Sequence, residues 1–355
     1  MRAHANINLK ALQNNLQRVR QLSGEAKVMS VIKANAYGHG MLQVADALQE
    51  SDAFAVANIE EACHLRSHLP DKKIVILQGV LSQEELSLAL KLTLDVVVHN
   101  EFQLQLIEQS QLSGKLSVWL KIDTGMHRLG ISPVKTSKAV ERLQQCTSEI
   151  DIYLMSHFAN ADNVSDSLTE QQLSVFLETT GEYAIQKSIA NSAAISSKHD
   201  CALDWVRPGI MIYGVNPFIE GDASDLDLLP VMTLSATIIS IQHFEKGDAI
   251  GYGGTWICPE DMPVAIVSIG YGDGYPRHAA SGTPVLVNGN LCSLVGRVSM
   301  DMICVDVRNA SSVSIGDKVV LWGEGLPIED IANSCKTIAY ELLCKITQRV
   351  HFEYI

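Results

Sequence analysis

The residue with the clearest potential for chemistry is Lys33, which lies near the end of a predicted strand. The strand covers residues 27–34, the segment Gly38–Gly40 predicts a turn, and a helix is predicted from Met41 onward. In barrels built from such strand–helix units, the reactive side chains sit at the C-terminal ends of the strands. An apolar setting lowers the pKa of a lysine, and the resulting neutral amine can form a Schiff base with an aldehyde. The alternative is a lysine whose amine reaches solvent at the strand end.

Two further segments could bind a phosphate group. Asn191 and Ser192 follow the seventh predicted strand, and the segment 207–210 follows the eighth. Barrels often bind phosphate at this corner, using the loops after strands seven and eight and the start of a short helix. Pro208 suits the first position of such a helix, and Gly209 leaves its amides open to an anion. An ordinary loop is the alternative, but an amine-forming lysine beside a phosphate site predicts pyridoxal phosphate as the cofactor.

Two more side chains are expected at the same barrel mouth. Arg128 follows the fifth predicted strand, and its guanidinium could hold a substrate carboxylate through two hydrogen bonds. His157 ends the sixth strand and would also point toward the mouth, although a purely structural role as a hydrogen-bond donor is the alternative.

The second half of the chain contributes two glycine-containing turns that display single side chains. The segment 270–277 is rich in glycine, but it lacks the spacing of a dinucleotide-binding loop and instead presents Tyr271 on an exposed turn. The segment 296–302 is a second turn of this kind and contains Met300.

The elements that must position these residues alternate regularly. Eight short apolar strands separated by helices predict a parallel (β/α)₈ barrel of the TIM type. The predicted strands are 28–34, 53–57, 73–77, 94–98, 116–122, 150–156, 188–191 and 204–207. The predicted helices are 9–22, 41–50, 59–69, 82–92, 100–110, 133–146, 166–186 and 193–199.

A second domain is expected after an acidic stretch at 220–229. From there on, strand-like runs alternate with turns, and Asn288–Gly289 predicts a tight hairpin. Two short helices, at 328–335 and 337–346, precede a last strand at 349–354. We therefore expect an α/β protein with a barrel over residues 9–222 and a mainly β domain over 223–355, which residues 1–8 could also join.

Whole-chain properties limit the possible partners. The chain has 355 residues and a formal charge of -13, which argues against nucleic acid and anionic membranes as partners. No run approaches the roughly 18 apolar residues of a membrane span, and the N-terminus lacks an apolar signal core. The eight cysteines are scattered without a Cys-x-x-Cys pair. These features predict a cytoplasmic protein with reduced thiols and no metal site.

The motifs together resemble those of one enzyme family. The run 31–40 closely resembles the pyridoxal-phosphate lysine motif of alanine racemases. Further segments match that family in the same order, and the resemblance covers nearly the whole chain. The matching segments are 124–130, 157–159, 191–192, 207–210, 270–277, 299–301 and 337–341.

The resemblance implies a role for each site residue. Lys33 would bind the cofactor as a Schiff base and act as the base facing D-alanine, while Tyr271 of the partner subunit would face L-alanine. Arg128 and the Met300 amide would contact the substrate carboxylate. His157 would orient that tyrosine through Arg207, which would itself face the cofactor. The further residues implied for cofactor binding are Tyr37, Asn191, Ser192, Gly209, Ile210 and Tyr340. Lys121 matches a position that can be carbamylated in the family.

The resemblance therefore implies a homodimeric, pyridoxal-phosphate-dependent alanine racemase. It would interconvert L-alanine and D-alanine by a two-base mechanism, either supplying D-alanine for peptidoglycan or serving alanine catabolism. A broader serine/alanine racemase, a decarboxylase of the same fold and a non-catalytic pyridoxal-phosphate-binding protein are the alternatives.

Overall fold

The computed structural model describes residues 3–110, 114–146, 149–197 and 200–355. Its first half is a closed barrel of eight parallel strands, which confirms the predicted fold class. The barrel strands are β2 (Lys27–Val31), β3 (Ala53–Val56), β4 (Ile74–Ile76), β5 (Asp95–Val98), β6 (Lys115–Lys121), β7 (Glu149–Met155), β8 (Lys187–Ser188) and β9 (Trp205–Val206).

Helices surround this barrel because apolar residues recur along one face of each. In the first helix, for example, Leu12, Leu16 and Val19 are buried and lie on one face. The helices are α1 (Leu9–Ser23), α3 (Met41–Ala47), α4 (Ile59–His68), α5 (Gln83–Lys91), α6 (Glu101–Gln109), α7 (Thr136–Gln144), α8 (Leu168–Thr180) and α9 (Ser192–Ser196). The short segment α2 (Lys33–Tyr37) is a left-handed turn at the barrel mouth and not a regular helix.

The second half contains an eight-stranded sheet and two short helices. The strand order is β13-β16-β15-β14-β17-β10-β1-β18, and β13 also pairs with β10. The sheet strands are β1 (His4–Ile7), β10 (Met232–Phe244), β13 (Met262–Val267), β14 (Pro284–Val287), β15 (Asn290–Val295), β16 (Ile303–Asp306), β17 (Lys318–Trp322) and β18 (His351–Tyr354). The helices are α10 (Ile328–Ser334) and α11 (Ala339–Cys344), and a small hairpin consists of β11 (Ala249–Ile250) and β12 (Trp256–Ile257).

The two halves of the chain are interlocked. The first strand, β1, pairs antiparallel with β10 and parallel with β18, so the N-terminal residues lie in the sheet of the second half. In the other direction, α11 packs on the barrel mouth, where the ring of Tyr340 lies 5.8 Å from that of Tyr37. The C-terminal half therefore contributes a side chain to the barrel's open end.

Several predicted boundaries were wrong. The strand predicted to include Lys33 ends at Val31, and the long helix predicted at 166–186 covers only Leu168–Thr180. The helix predicted at 193–199 is Ser192–Ser196, and residues 198–199 lie outside the described part of the chain. The hairpin prediction was confirmed, because Asn288 (φ 49°) and Gly289 (φ 77°) form the left-handed turn between β14 and β15.

Membrane-spanning segments are absent from the described residues, in which no helix is both long and apolar enough to cross a bilayer.

Candidate active site

A cavity of roughly 570 Å³ opens at the C-terminal ends of the barrel strands. Its walls come from the loops after several strands and from α11 of the second half. The structure brings together here most of the predicted site residues: Lys33, Tyr37, Lys121, Arg128, His157, Asn191, Ser192, Arg207, Gly209, Ile210 and Tyr340. Side chains spread over three hundred positions of the sequence therefore share one pocket.

Lys33 enters this cavity from an unusual turn. The residues Ala34–Tyr37 all have positive φ angles near 50°, so the chain makes a left-handed turn directly after the lysine. Burial is the main cause that lowers the pKa of Lys33, and the nearby positive charge of Arg128 lowers it further. The carboxylate of Glu61 acts in the opposite direction. The site therefore favours a neutral, nucleophilic amine.

The corner after β8 and β9 is built to hold an anion. The Ser192 hydroxyl oxygen accepts a hydrogen bond from the Gly209 amide at 2.8 Å, which leaves its own O–H able to donate. Asn191 caps the start of α9 by accepting from the Ala194 amide at 3.1 Å. A Cβ at position 209 would lie 2.7 Å from the Tyr37 hydroxyl oxygen, so only glycine leaves this cradle open.

Two tyrosines supply further donors beside that cradle. Burial raises the pKa of Tyr37 well above its usual range and raises that of Tyr340 to about 12. Both hydroxyls therefore keep their protons at neutral pH and can donate to a phosphate. The Tyr37 ring is fixed by the neighbouring Tyr213 ring, whose centroid is 4.8 Å away. This donor set fits the phosphate of pyridoxal phosphate.

Arg207 is buried in the pocket wall, where it contacts β8 and the loop that follows β7. Its guanidinium donates to the Ser188 hydroxyl at 2.6 Å, to the Ser156 carbonyl at 2.5 Å and toward Nδ1 of His157 at 3.2 Å. Burial, followed by the charge of Arg207, lowers the pKa of His157 well below its usual value. His157 is therefore neutral, with Nδ1 as an acceptor.

Lys121 and Arg128 add two further basic groups to the cavity lining. Burial, followed by the charges of Arg207 and Arg128, lowers the pKa of Lys121 to about 8. A substantial fraction of this amine is therefore neutral near pH 8. Arg128 itself is exposed toward the cavity, where its fork of N–H groups suits a carboxylate.

Tyr271 and Met300 are the two predicted residues that the structure does not bring to the cavity of their own chain. Both are exposed, at 41% and 53%, on adjacent turns of the second half. The two turns are joined by backbone hydrogen bonds from the Tyr271 amide to Ser299 and from the Gly272 amide to Met300. Arg349 lies behind both turns, with ion pairs to Asp273 at 3.2 Å and Asp301 at 2.5 Å.

Some functional positions were missed from sequence. Glu61 accepts from the Ala34 amide beside Lys33, and Gln172 joins the loops after β6 and β7 through Thr124 and the His157 carbonyl. The Asn58-x-x-Glu61 spacing at the start of a predicted helix is a recognisable capping pattern that could have singled out Glu61. Gln172 lies in mid-helix and carries no comparable signal.

Metal chemistry has no obvious location in the described ranges, where no group of three or more His, Cys, Asp or Glu side chains could hold an ion.

Comparison with known families decides between the alternatives. The family model for the N-terminal domain of alanine racemase matches residues 7–217, and that for the C-terminal domain matches residues 231–354. The chain belongs to the alanine racemase family. An alanine racemase from Coxiella burnetii is 50% identical over 99% of this chain and 98% of its own length.

Solved alanine racemases share the complete fold. The biosynthetic alanine racemase from Pseudomonas aeruginosa has a TM-score of 0.97 and 41% identity, covering 100% of this chain and 99% of its own. The alanine racemase from Bartonella henselae, described with covalently bound pyridoxal phosphate, has a TM-score of 0.88 and 30% identity over 100% of both chains. The reaction of this chain is therefore the pyridoxal-phosphate-dependent interconversion of L-alanine and D-alanine, and the broader racemase, decarboxylase and non-catalytic alternatives are not favoured.

Proposed function

We propose that this alanine racemase works as a homodimer with two active sites, each completed by Tyr271 of the partner subunit. One observation carries this proposal: the cavity of a single chain contains Lys33 and the cofactor-binding residues, whereas Tyr271 and Met300 lie exposed elsewhere. Met302, also exposed, extends the apolar character of their surface. A second copy that covers this surface would bury it and supply the missing groups.

Racemisation requires two groups on opposite faces of the substrate's α-carbon. When bound, pyridoxal phosphate delocalises the electron pair that remains on that carbon after a proton leaves. We infer from the resemblance to the family that Lys33 serves the face that exchanges the proton of D-alanine. The lowered pKa of its partly buried amine suits it to act as a base. Tyr271 of the partner subunit would serve the opposite face and exchange the proton of L-alanine. Each turnover then moves one proton from substrate to one base and returns one from the other.

The remaining pocket residues would bind and orient. Ser192 suits the phosphate because its oxygen accepts the Gly209 amide, which leaves the Ser192 O–H able to donate into the open corner beside Gly209. Tyr37, Tyr340, Asn191 and Ile210 line the same cavity, and the two tyrosine hydroxyls can donate. Arg207 would face the cofactor's ring nitrogen, and its contact with His157 would orient the partner's tyrosine.

Arg128 is the best candidate for the group that holds the substrate carboxylate, with the Met300 amide of the partner subunit as a second donor. A modified Lys121 would help to orient the Arg128 guanidinium. Its pKa of about 8 provides neutral amine, whose nitrogen can form a bond to carbon dioxide while one N–H proton is released to water. The resulting carbamate would be an anion near Arg128. Such an anion would fix the guanidinium in the orientation needed for the carboxylate.

We also propose a biosynthetic, cytoplasmic role. The similarity to the biosynthetic enzyme from Pseudomonas aeruginosa supports supply of D-alanine for peptidoglycan. All eight cysteines lie in the described part of the chain and are free, which is typical of a reducing compartment.

Complementation between two inactive variants tests the shared site. Lys33→Ala and Tyr271→Phe would be co-expressed with different affinity tags, and the mixed dimer would be purified through both tags. Because a mixed dimer has one intact site and one doubly altered site, we expect about half of wild-type activity. The two homodimeric variants are the controls. A mixed dimer as inactive as they are would contradict sharing of sites between subunits.

A further inference from the structure

The turn that carries Lys33 and Tyr37 has a backbone that needs support. Ala34, Asn35, Ala36 and Tyr37 have φ angles of 52°, 53°, 54° and 52°, and none of them is glycine. The left-handed conformation costs an L-residue roughly 1–2 kcal/mol, so four in succession are stable only when their surroundings enforce them. Both ends of the turn should therefore be anchored by specific contacts.

The C-terminal end of the turn has several anchors. The Asn35 side chain accepts from the Met41 amide at 2.9 Å, and Nδ1 of His39 lies 3.0 Å from the carbonyl oxygens of Ala36 and Tyr37. Gly38 packs against α11 so closely that a Cβ there would lie 2.3 Å from the Leu343 carbonyl oxygen. These contacts fix the exit from the turn.

The N-terminal end depends on one side chain from another element. The sheet pairing between β2 and β3 ends with the bond from the Ile32 amide to the Ala55 carbonyl at 3.0 Å. After this bond, Glu61 accepts from the segments that follow both strands: Oε1 from the Ala34 amide at 2.8 Å and Oε2 from the Ala57 amide at 2.7 Å. The Glu61 carboxylate therefore joins the two segments where backbone hydrogen bonds join the strands before them.

Glu61 is itself well fixed for this task. It lies in the first turn of α4, where a carboxylate is favoured by the helix dipole. Its own amide donates to the Asn58 side chain at 3.0 Å, which caps the helix. The carboxylate therefore belongs to a rigid helix start and not to a mobile loop.

We propose that Glu61 is a positioning residue that holds the cofactor-bearing turn in its left-handed form and sets the charge around the Lys33 amine. This inference rests on the proposed role of Lys33 as the residue that binds the cofactor.

The negative charge of Glu61 raises the pKa of Lys33. Lys33 is surrounded by the cations Arg128 and Lys121, by neutral His157 and by the Cys344 thiol, and Glu61 supplies the negative charge among them. Removing that charge leaves the cations unopposed and lowers the pKa of Lys33 further. Because only the neutral amine attacks an aldehyde, the pH midpoint for capture of the cofactor should then move to lower pH.

Three variants separate position from charge. Glu61→Gln keeps the length and one acceptor oxygen but loses the charge and the second acceptor. Glu61→Asp keeps the charge but shortens the reach. Glu60→Gln is the matched control, because Glu60 is an exposed carboxylate in the same first turn. The full-length protein, stripped of cofactor, is mixed with pyridoxal phosphate, and capture is followed by absorbance from pH 6 to pH 10.

We expect Glu61→Gln to capture the cofactor about tenfold more slowly, as the loss of a charged hydrogen bond predicts, with its midpoint at lower pH. Glu61→Asp should be slower without that shift, and Glu60→Gln should match wild type. Hydrogen exchange at the Ala34 and Ala57 amides should accelerate in both Glu61 variants while exchange in the barrel strands is unchanged, which separates a local effect from unfolding.

Wild-type capture kinetics together with unchanged exchange at Ala34 in Glu61→Gln would overturn the inference about Glu61. A wild-type protein that binds the cofactor at a residue other than Lys33 would instead overturn the proposed function on which it rests.

Discussion

The guanidinium of Arg207 lies 3.2 Å from Nδ1 of His157. Arginine keeps its protons at every physiological pH and can only donate, so this imidazole nitrogen must accept. The ring proton is therefore on Nε2, the edge that remains for another partner. Because the pKa of His157 is also far below its usual value, its protonation does not change near neutral pH. The contact with Arg207 therefore orients the His157 ring, and His157 does not exchange protons during the reaction.

Replacing Arg207 by glutamate should change the outcome of the reaction. A glutamate would allow the cofactor's ring nitrogen to hold a proton, which strengthens electron withdrawal and favours side reactions. We expect slower racemisation and more pyruvate formed for each alanine racemised. Because Ser156 and Ile189 would lose a buried donor, the free energy of unfolding should also fall by roughly 3 kcal/mol. Pyruvate is measured with a coupled dehydrogenase, and Arg207→Lys is the control that keeps the positive charge. An unchanged ratio of pyruvate to racemised alanine would exclude the assigned role.

Gly209→Ala should weaken the phosphate site selectively. The added Cβ would lie 2.7 Å from the Tyr37 hydroxyl oxygen, and the Tyr37 ring cannot move freely between Tyr213 and Tyr340. Overpacking of this kind costs about 1–3 kcal/mol, so the dissociation constant for pyridoxal phosphate should rise roughly tenfold or more. Pyridoxal, which lacks the phosphate, is the control ligand and should bind with little change. Equal losses for both ligands would argue against a phosphate cradle at this corner.

Tyr271→Phe should affect the two enantiomers unequally. If this hydroxyl exchanges the α-proton of L-alanine, its removal should slow exchange from L-alanine by about 10²–10⁴-fold and leave exchange from D-alanine less affected. Exchange into deuterated water is followed by NMR for each enantiomer separately. Tyr252→Phe alters another exposed tyrosine of the C-terminal half and serves as the control. Identical slowing for both enantiomers would contradict the assigned face.

The sequence predicted the repeating part of the structure well. Alternating apolar runs and helices give the barrel because short apolar strands such as β3 are buried on both faces and pair with a parallel neighbour on each side. The same reasoning was wrong at Lys33, where the strand stops early and residues 34–37 adopt left-handed angles. Local propensity does not predict four such residues in succession, because the contacts at the two ends of the turn, Glu61 at Ala34 and Leu343 at Gly38, come from distant parts of the chain.

The site shows the same division. The predicted strand ends placed Arg128, His157 and Arg207 at the barrel mouth, because the C-terminal ends of parallel barrel strands lie at the same face. Tyr340 reaches that mouth from the other half of the chain, which only the resemblance to the family implied. The pattern of strands and helices in one chain does not predict how Tyr271 lies relative to a second subunit, because that position depends on how two folded chains pack together.

Lys121 should make stability depend on pH in a defined direction. Its folded-state pKa of about 8 is below the ordinary lysine value of 10.5, so the unfolded chain binds more protons between these two values. The stability contributed by this residue therefore rises with pH across that interval. Below pH 8 the buried charge destabilises the fold by at most about 3 kcal/mol. Lys121→Met should therefore stabilise the cofactor-free protein more at pH 7 than at pH 9.5, as measured by urea unfolding. A stabilisation that grows with pH would contradict this sign.

The covalent attachment of the cofactor tests the account most directly, because the cavity contains two partly buried lysines with lowered pKa values, Lys33 and Lys121. The purified protein is reduced with borohydride, digested and mapped by mass spectrometry. We predict a pyridoxyl label on Lys33 and none on Lys121, together with loss of the label in Lys33→Ala. A label on Lys121, or on neither residue, would contradict the central claim that the left-handed turn after β2 presents the cofactor-binding amine.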